Sequence, residues 1–546
     1  VVTYRDFADE YRVWDGTDVD LGLLLDAARQ RMHRRPLAEI VAEIDQPEPV
    51  VAARHSAEHD MLRVFRRRYA ASDQPVSAPE PFSPFDGEVL LLVDAGTRTP
   101  SLRGAGSDAK PVVAAIPEDV SALDTAAREV AAMVSVLDDP AVAADRVAQR
   151  ELSERLAQAR GAFSQALAET FGAGACRWVL LVDADSGPDV ELAAGRGSAA
   201  ISEAADLAYP CTPGIGNEML NRSELTSQGA KARRLLLEAM IERGESGADD
   251  LGFEGYGPET AMYRAFLVRA GLHAARSRSR TMSFGPPSDP SLQPAWELLE
   301  DEFRRSTAER VNLDAIVGRL QSPPVGMKAA VVPVLVTAGL LAFRDEVAIY
   351  EHGTFTPVLS PEVSERMVRN PAHFDVKHFA NTSGGRLMVV EALAERLGVG
   401  ERGRAGRSRR VSNVLAVVSN LVMRISRLDN YTRRSRSLST DALAVRDALT
   451  VAVEPDELLF TTLPAALGFA AVPAHASGFG QAHEFADALD AALDELDSCL
   501  DRLLADLLDL LLAACGAPSR AAVSGQAATL GDEVLDPEVR AFVLAL

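Results

Sequence analysis

The sequence predicts a mainly α, multidomain protein with a small α/β unit near the N-terminal third and a winged-helix-like module in the middle. Three observations carry this. At 546 residues the chain is too long for one core and should divide into about three to five domains. A 47% hydrophobic but only 5% aromatic composition, rich in Ala, Leu, Asp and Arg, favours helices over sheets. Along the chain, long stretches at helical spacing are interrupted by a few short, continuous apolar runs.

Residues 1–71 read as a helical segment: apolar residues recur at helical spacing from Leu21 to Ile44, and "VVAARHSAEHDMLRVFRRRYA" continues in the same mode. Residues 72–86, rich in Pro and Ser, read as a linker. In 87–200, "EVLLLVDAG", "KPVVAAIPED" and "RWVLLVDAD" have the pattern of strands buried on both faces. A long helical stretch, about 123–171, separates the second from the third, which makes a small α/β unit. Residues 201–308 form a helical domain in which Ser223 or Thr226 is placed to cap the helix running through Leu235.

Residues 309–380 give helix, Pro-Gly turn, helix and then a hairpin, "EVAIYEHGTFTPVL", with its tip at His352 and Gly353. Two helices and a wing make the winged-helix-like module. Its helix "MKAAVVPVLVTAGLLAF" is too apolar to lie in a groove and is expected in the core. Residues 381–546 read as a C-terminal helical domain.

Charge argues two ways about nucleic acid. The chain carries 79 acidic against 56 basic residues, a net charge of -23, a poor footprint for a nucleic-acid binder. Yet between 402 and 436 ten arginines face one acid, Asp429. Such a segment either salt-bridges to acidic neighbours or contacts phosphates. On the phosphate reading the nucleic-acid face comprises His352 at the wing tip with Arg402, Arg404, Arg407, Arg409, Arg410, Arg433, Arg434 and Arg436, and double-stranded DNA is held without sequence preference. "RSRSR", Arg276 to Arg280, is a smaller patch open to the same two readings.

Other motifs weigh less. "HSAEH", His55 to His59, matches H-x-x-E-H, in which two histidines one turn apart bind zinc beside a glutamate base. It lacks a third ligand, and its arginine-rich surroundings repel a dication, so no metal site is expected. "DADSGPDVE" misses the Gly and Glu positions of a calcium loop. "LLLVDAG" and "VLLVDAD" resemble Walker B strands, but no G-x-x-x-x-G-K-[ST] loop accompanies them, so no nucleotide site and no cofactor are expected in this chain. No Ser-His-Asp or Cys-His constellation can be assembled, which leaves catalysis unsupported.

Four scattered cysteines, Cys176, Cys211, Cys499 and Cys515, suggest neither a disulfide framework nor a zinc knuckle, and a reducing cytoplasm is the expected location. Acidic residues break the most apolar helix, "CLDRLLADLLDLLLAACG", so no membrane span is expected. The chain starts "VVTYRDFADEY" and ends "DPEVRAFVLAL". Both ends read as cut, and part of a larger protein is expected.

Taken in order, "VAARHSAEHDMLRVFRRRY", "IGNEMLNRSELTSQGAKARRLLLEAM", "GPETAMYRAFLVRAGLH", "PPVGMKAAVVPVLVTAGLLAF", "VAIYEHGTFTPVLSPE" and "EPDELLFTTLPAALG" resemble the region downstream of the ATPase motor in large bacterial P-loop ATPases of phage-defence systems, the BREX and Pgl phage-exclusion type and their relatives. His59 departs from that family, where a small or polar residue stands. The resemblance implies an accessory or regulatory region for DNA engagement and assembly, with ATP and Mg2+ bound only in a separate N-terminal P-loop domain. It also implies other defence-system subunits as partners, in an oligomer or complex. The alternative is a helical scaffold that binds only proteins.

Overall fold

The computed structural model describes the chain apart from residues 1, 6–8, 14–18, 81, 95–97, 105, 107, 184, 194–196, 248, 276–281, 380–382, 400–413, 452, 531–535 and 546. Helices cover 55% of it, so the class is mainly α, and three large hydrophobic cores make it multidomain.

The first core surrounds a mixed sheet. A separate hairpin, β1 (Val2–Arg5) and β2 (Glu10–Val13), precedes helices α1 (Leu21–Met32) and α2 (Leu37–Ile44). Then follow β3 (Val50–Val51), α3 (Ala53–Glu58), β4 (Val64–Ala70), β5 (Val76–Ser77), β6 (Gly87–Leu92), β7 (Leu102–Arg103) and β8 (Val112–Pro117). Helices α4 (Ser121–Leu137), α5 (Pro140–Ala143) and α6 (Arg146–Thr170) lead to β9 (Cys176–Leu181), β10 (Val190–Glu191) and α7 (Gly197–Ala208). The sheet order is β10-β9-β8-β6-β4-β3, with β4, β6 and β8 parallel. Every residue of β6 and β8 is buried, because helices pack on one face and a smaller core around Val76 and Leu102 covers the other.

Two expectations need correction here. "VFRRRYA" is strand β4, not helix. Phe65 and Tyr69 enter the core of one face, while Arg66 and Arg68, two residues apart, both pair with Glu88 of β6 at 2.7 and 2.9 Å. That is the period of a strand, hidden in the sequence by three consecutive arginines. Nor is 72–86 a loose linker: β5 pairs with β7, and Asp86 is buried.

The second core holds α8 (Ser227–Arg243), α9 (Pro258–Met262), the short hairpin β11 (His273–Ala275) and β12 (Met282–Phe284), α10 (Gln293–Arg305), β13 (Val311–Asn312), α11 (Leu313–Gln321) and α12 (Val332–Ala342). Thr226 caps α8, accepting from the Gly229 N–H at 3.2 Å. Helix α12 lies in the core, as its apolar length requires. After it come β14 (Val347–Glu351), β15 (Thr354–Thr356), α13 (Pro361–Arg369) and β16 (Phe374–His378).

These strands form a four-stranded antiparallel sheet in the order β13-β16-β14-β15. Alternation along β14 decides its setting: Val347 and Ile349 join the second core, whereas Ala348 and Tyr350 join the third. The hairpin is therefore clamped between two domains.

The third core is built from α14 (Gly384–Arg396), α15 (Val414–Ser426), α16 (Asn430–Arg434), α17 (Thr440–Thr450), α18 (Pro455–Glu457), α19 (Leu463–Ala466) and α20 (Ala482–Asp497). Beyond it α21 (Cys499–Cys515), α22 (Arg520–Leu530) and α23 (Pro537–Ala545) continue as an arm. No helix among the described residues is long and apolar enough to cross a membrane.

Candidate functional site

Where the first two cores meet, a buried ionic cluster joins them. Asp86, in the turn into β6, accepts from Lys328 Nζ at 2.7 and 2.6 Å, from Arg63 Nη1 at 3.0 Å and from the Val64 N–H at 2.8 Å. Arg63 is fully buried. Its guanidinium stacks 4.0 Å from the centre of the Tyr209 ring and donates to Thr212 Oγ1 at 2.8 Å. Gly326, at φ +62, lets the chain pass so close that a Cβ there would lie 2.5 Å from that ring.

Lys110, just before β8, donates to the carbonyl oxygens of Ser83 and Phe85 at 2.8 and 3.1 Å. Two buried cations, Arg63 and Lys328, thus share one carboxylate, and Lys110 lies within its electrostatic reach. Burial pushes the Asp86 pKa up, but Lys328 and Arg63 outweigh it and hold Asp86 below the usual carboxylate range. Burial lowers Lys328 despite its partner Asp86, and repulsion from the neighbouring Arg63 charge lowers it further; burial also brings Lys110 down to about 8.

Sequence reasoning missed this cluster, although a signal exists. Only four of the 56 basic residues are lysines, and Lys110 and Lys328 are two of them. A lysine ammonium is compact and can lose its proton when buried, whereas arginine stays charged.

The hairpin places His352 exposed at its tip, with φ 49 at His352 and 79 at Gly353, as a two-residue turn of this twist requires. The tip is tied down. The His352 N–H donates to the His373 carbonyl at 2.8 Å, the two rings lie 4.4 Å apart, and Arg310 donates to the Gly353 carbonyl at 3.0 Å. Nearby cations are already paired: Arg310 and Lys377 with Glu454 at the hairpin base, and Arg366 with Glu351 at 2.6 Å.

Of the arginine segment, Arg402, Arg404, Arg407, Arg409 and Arg410 lie outside the described residues, as does Arg276 to Arg280. Arg424 pairs with Asp494 and Asp497 on α20, each at 2.7 Å. Arg427, Arg433, Arg434 and Arg436 are exposed, and among the described residues none of them meets a carboxylate; Arg433 reaches only the Ser426 carbonyl. Arg424 thus follows the salt-bridge reading, whereas these four arginines do not among the described residues.

The histidines of "HSAEH" acquire the neighbour the sequence lacked. Asp206 of α7 accepts from or faces His55 Nδ1 at 2.8 Å, and His55, His59 and Asp206 together have metal-ligand spacing. Arg54 occupies the same carboxylate and also pairs with Glu58 at 2.8 Å. Burial pushes His55 down. The carboxylate is satisfied by a guanidinium and an imidazole, which leaves its charge already neutralised.

The last feature is α21. Of its 17 residues only Cys499 is buried, and Leu504, Leu507, Leu508 and Leu510 are 54%, 50%, 38% and 67% exposed. At 100° per residue these four exposed leucines fall on one arc of roughly 160°, with Asp501 and Asp506 on its two borders. Further along the arm Leu530, Val539 and Phe542 are exposed as well. The chain matches no protein-family model, no curated protein and no solved structure, so its function must be argued from these residues themselves.

Proposed function

We propose that this chain is a non-catalytic assembly region, the accessory part of a bacterial antiviral ATPase that its sequence resembles, and that its C-terminal arm docks an amphipathic helix of another subunit. The uncovered leucine arc of α21 carries this reading. Soluble proteins rarely leave so continuous an apolar face in water unless a partner covers it, and burying one leucine is worth about 1.5–3 kcal/mol. The acidic borders, Asp501 and Asp506, favour a partner helix flanked by Lys or Arg over a second copy of α21, which would set acid against acid. Light scattering across a concentration series separates the two: a monomer of wild-type chain fits a foreign partner, and a dimer lost in Leu504→Glu/Leu507→Glu would make the second copy the occupant.

A second reading, contact with duplex DNA, is favoured by the exposed arginines at 427, 433, 434 and 436. The winged-helix-like reading of 309–380 belongs with it and is supported by the order α11, α12, β14–β15. The hairpin could add only its tip at His352, since both faces of β14 are packed. On this reading binding at about 50 mM salt should weaken by roughly 0.9 log unit per phosphate contact per decade of salt. Arg433→Glu/Arg434→Glu/Arg436→Glu should abolish it; absence of any binding by the wild-type chain refutes it.

A further inference from the structure

Two of the buried cations at the junction of the first two cores, Lys110 and Lys328, line a cleft of about 150 Å³ together with Asp86, Ser223 and Gln321. That is room for about five waters at roughly 30 Å³ each. It adjoins a second, more apolar cleft of about 300 Å³ walled by Leu313, Val317, Pro333 and Met367, and the two share Phe82, Ser223, Gln321 and Ala329. Arg233, at the edge of the second cleft, donates only to the carbonyls of Ala329 and Ala330 at 3.4 and 3.2 Å.

The charges do not balance. Arg63 and Lys328 pair with the single carboxylate of Asp86, which is saturated by its own donors, while Lys110 stands close enough to feel all three charges without an acid of its own among the described residues. Lys110 makes two hydrogen bonds and Lys328 two, while an ammonium has three N–H groups. Glu224 stands exposed on the rim and makes no ion pair with either lysine among the described residues. Buried like charges of this kind are costly unless an anion joins them.

We propose that this double cleft binds a small phosphate-bearing ligand, its oxyanion held between Lys110 and Lys328 and an apolar or aromatic body lying in the cleft beside Val317, against Phe82. The ligand would bridge the first unit, which supplies Lys110, and the central domain, which supplies Lys328. It would thereby report a small molecule to the joint between them, independently of what α21 docks.

Calorimetry at constant ionic strength with inorganic phosphate, phenyl phosphate and phenol tests this. Phosphate should bind weakly, phenyl phosphate about tenfold more tightly, and phenol not at all. Lys110→Met should lose both anions, and Val317→Phe should weaken phenyl phosphate alone. Glu224→Gln, an exposed change that leaves the fold intact, should tighten both by removing the one negative charge at the mouth. Equal affinity for the two anions would support the oxyanion seat and overturn its apolar extension. No binding of either anion to wild-type chain at about 10 mM, or unchanged binding by Lys110→Met, overturns the proposal.

Discussion

Replacing Asp86 by Asn removes the one carboxylate on which two cores converge. Its oxygens accept from Lys328, Arg63 and the Val64 N–H at 2.6 to 3.0 Å, and both cationic partners are at most 5% exposed. An amide cannot neutralise them and presents its own N–H groups to donors. Leaving a buried charge without its partner costs about 3–5 kcal/mol. A second route gives the same scale: if Lys328 instead sheds its proton at pH 7, an ammonium of ordinary pKa pays at most about 5 kcal/mol. For a unit of this size, that corresponds to a melting point lower by roughly 6–20 °C. Because Asp86 and Arg63 belong to the first unit and Lys328 to the central domain, scanning calorimetry should also show the two separating into distinct transitions. Asp86→Asn/Lys328→Met, which removes both charges, should recover at least half of the loss. A melting point within about 1 °C of wild type would refute the reasoning, since it would mean the cluster is solvated and contributes nothing.

Gly326→Ala should destabilise the same junction by about 2 kcal/mol or more, because it puts a Cβ at positive φ against the Tyr209 ring and Arg63 Nη1; an unchanged urea midpoint would contradict this. Lys110, held at about 8 against an ordinary 10.5, binds its proton more weakly in the folded chain than in the unfolded one, so it opposes folding below pH 8 and ceases to do so as pH rises towards 10.5. Relative to Lys110→Met, wild-type stability should climb by up to about 1.4 kcal/mol per pH unit in that window and stay flat below it; equal pH profiles would contradict it. Purified protein should carry no stoichiometric zinc, since Arg54 already occupies Asp206; zinc lost on His55→Ala would reverse that conclusion.

Much of the fold was legible because burial leaves plain patterns. β6, β8 and β9 read as strands since neighbours cover both faces, and α12 read as core since its apolar residues run all round. β4 was misread because arginines on alternate positions of a strand and on a helix surface look alike until Glu88 of the neighbouring strand is known. The hairpin was legible as a hairpin, but its setting was not: only tertiary structure reveals that Tyr350 packs into the C-terminal core while Ile349 packs into the central one. The ionic cluster was invisible for the same reason, since Arg63, Asp86, Lys110 and Lys328 are brought together from segments spanning more than 260 residues. The leucine-rich helix α21 was read only as a segment too charged to cross a membrane, because sequence does not tell which apolar faces find cover.

The leucine arc of α21 is the surface on which assembly would turn. Fluorescence anisotropy with a labelled helical peptide, leucine at its a and d positions and lysine on the flanks, measures this directly. Wild-type chain should bind it with a micromolar Kd, and Leu504→Glu/Leu507→Glu should lose about 3–6 kcal/mol of that binding, two leucines' worth of burial, with its melting point unchanged. No binding by wild-type chain at about 100 μM, or equal binding by the variant, would contradict the account.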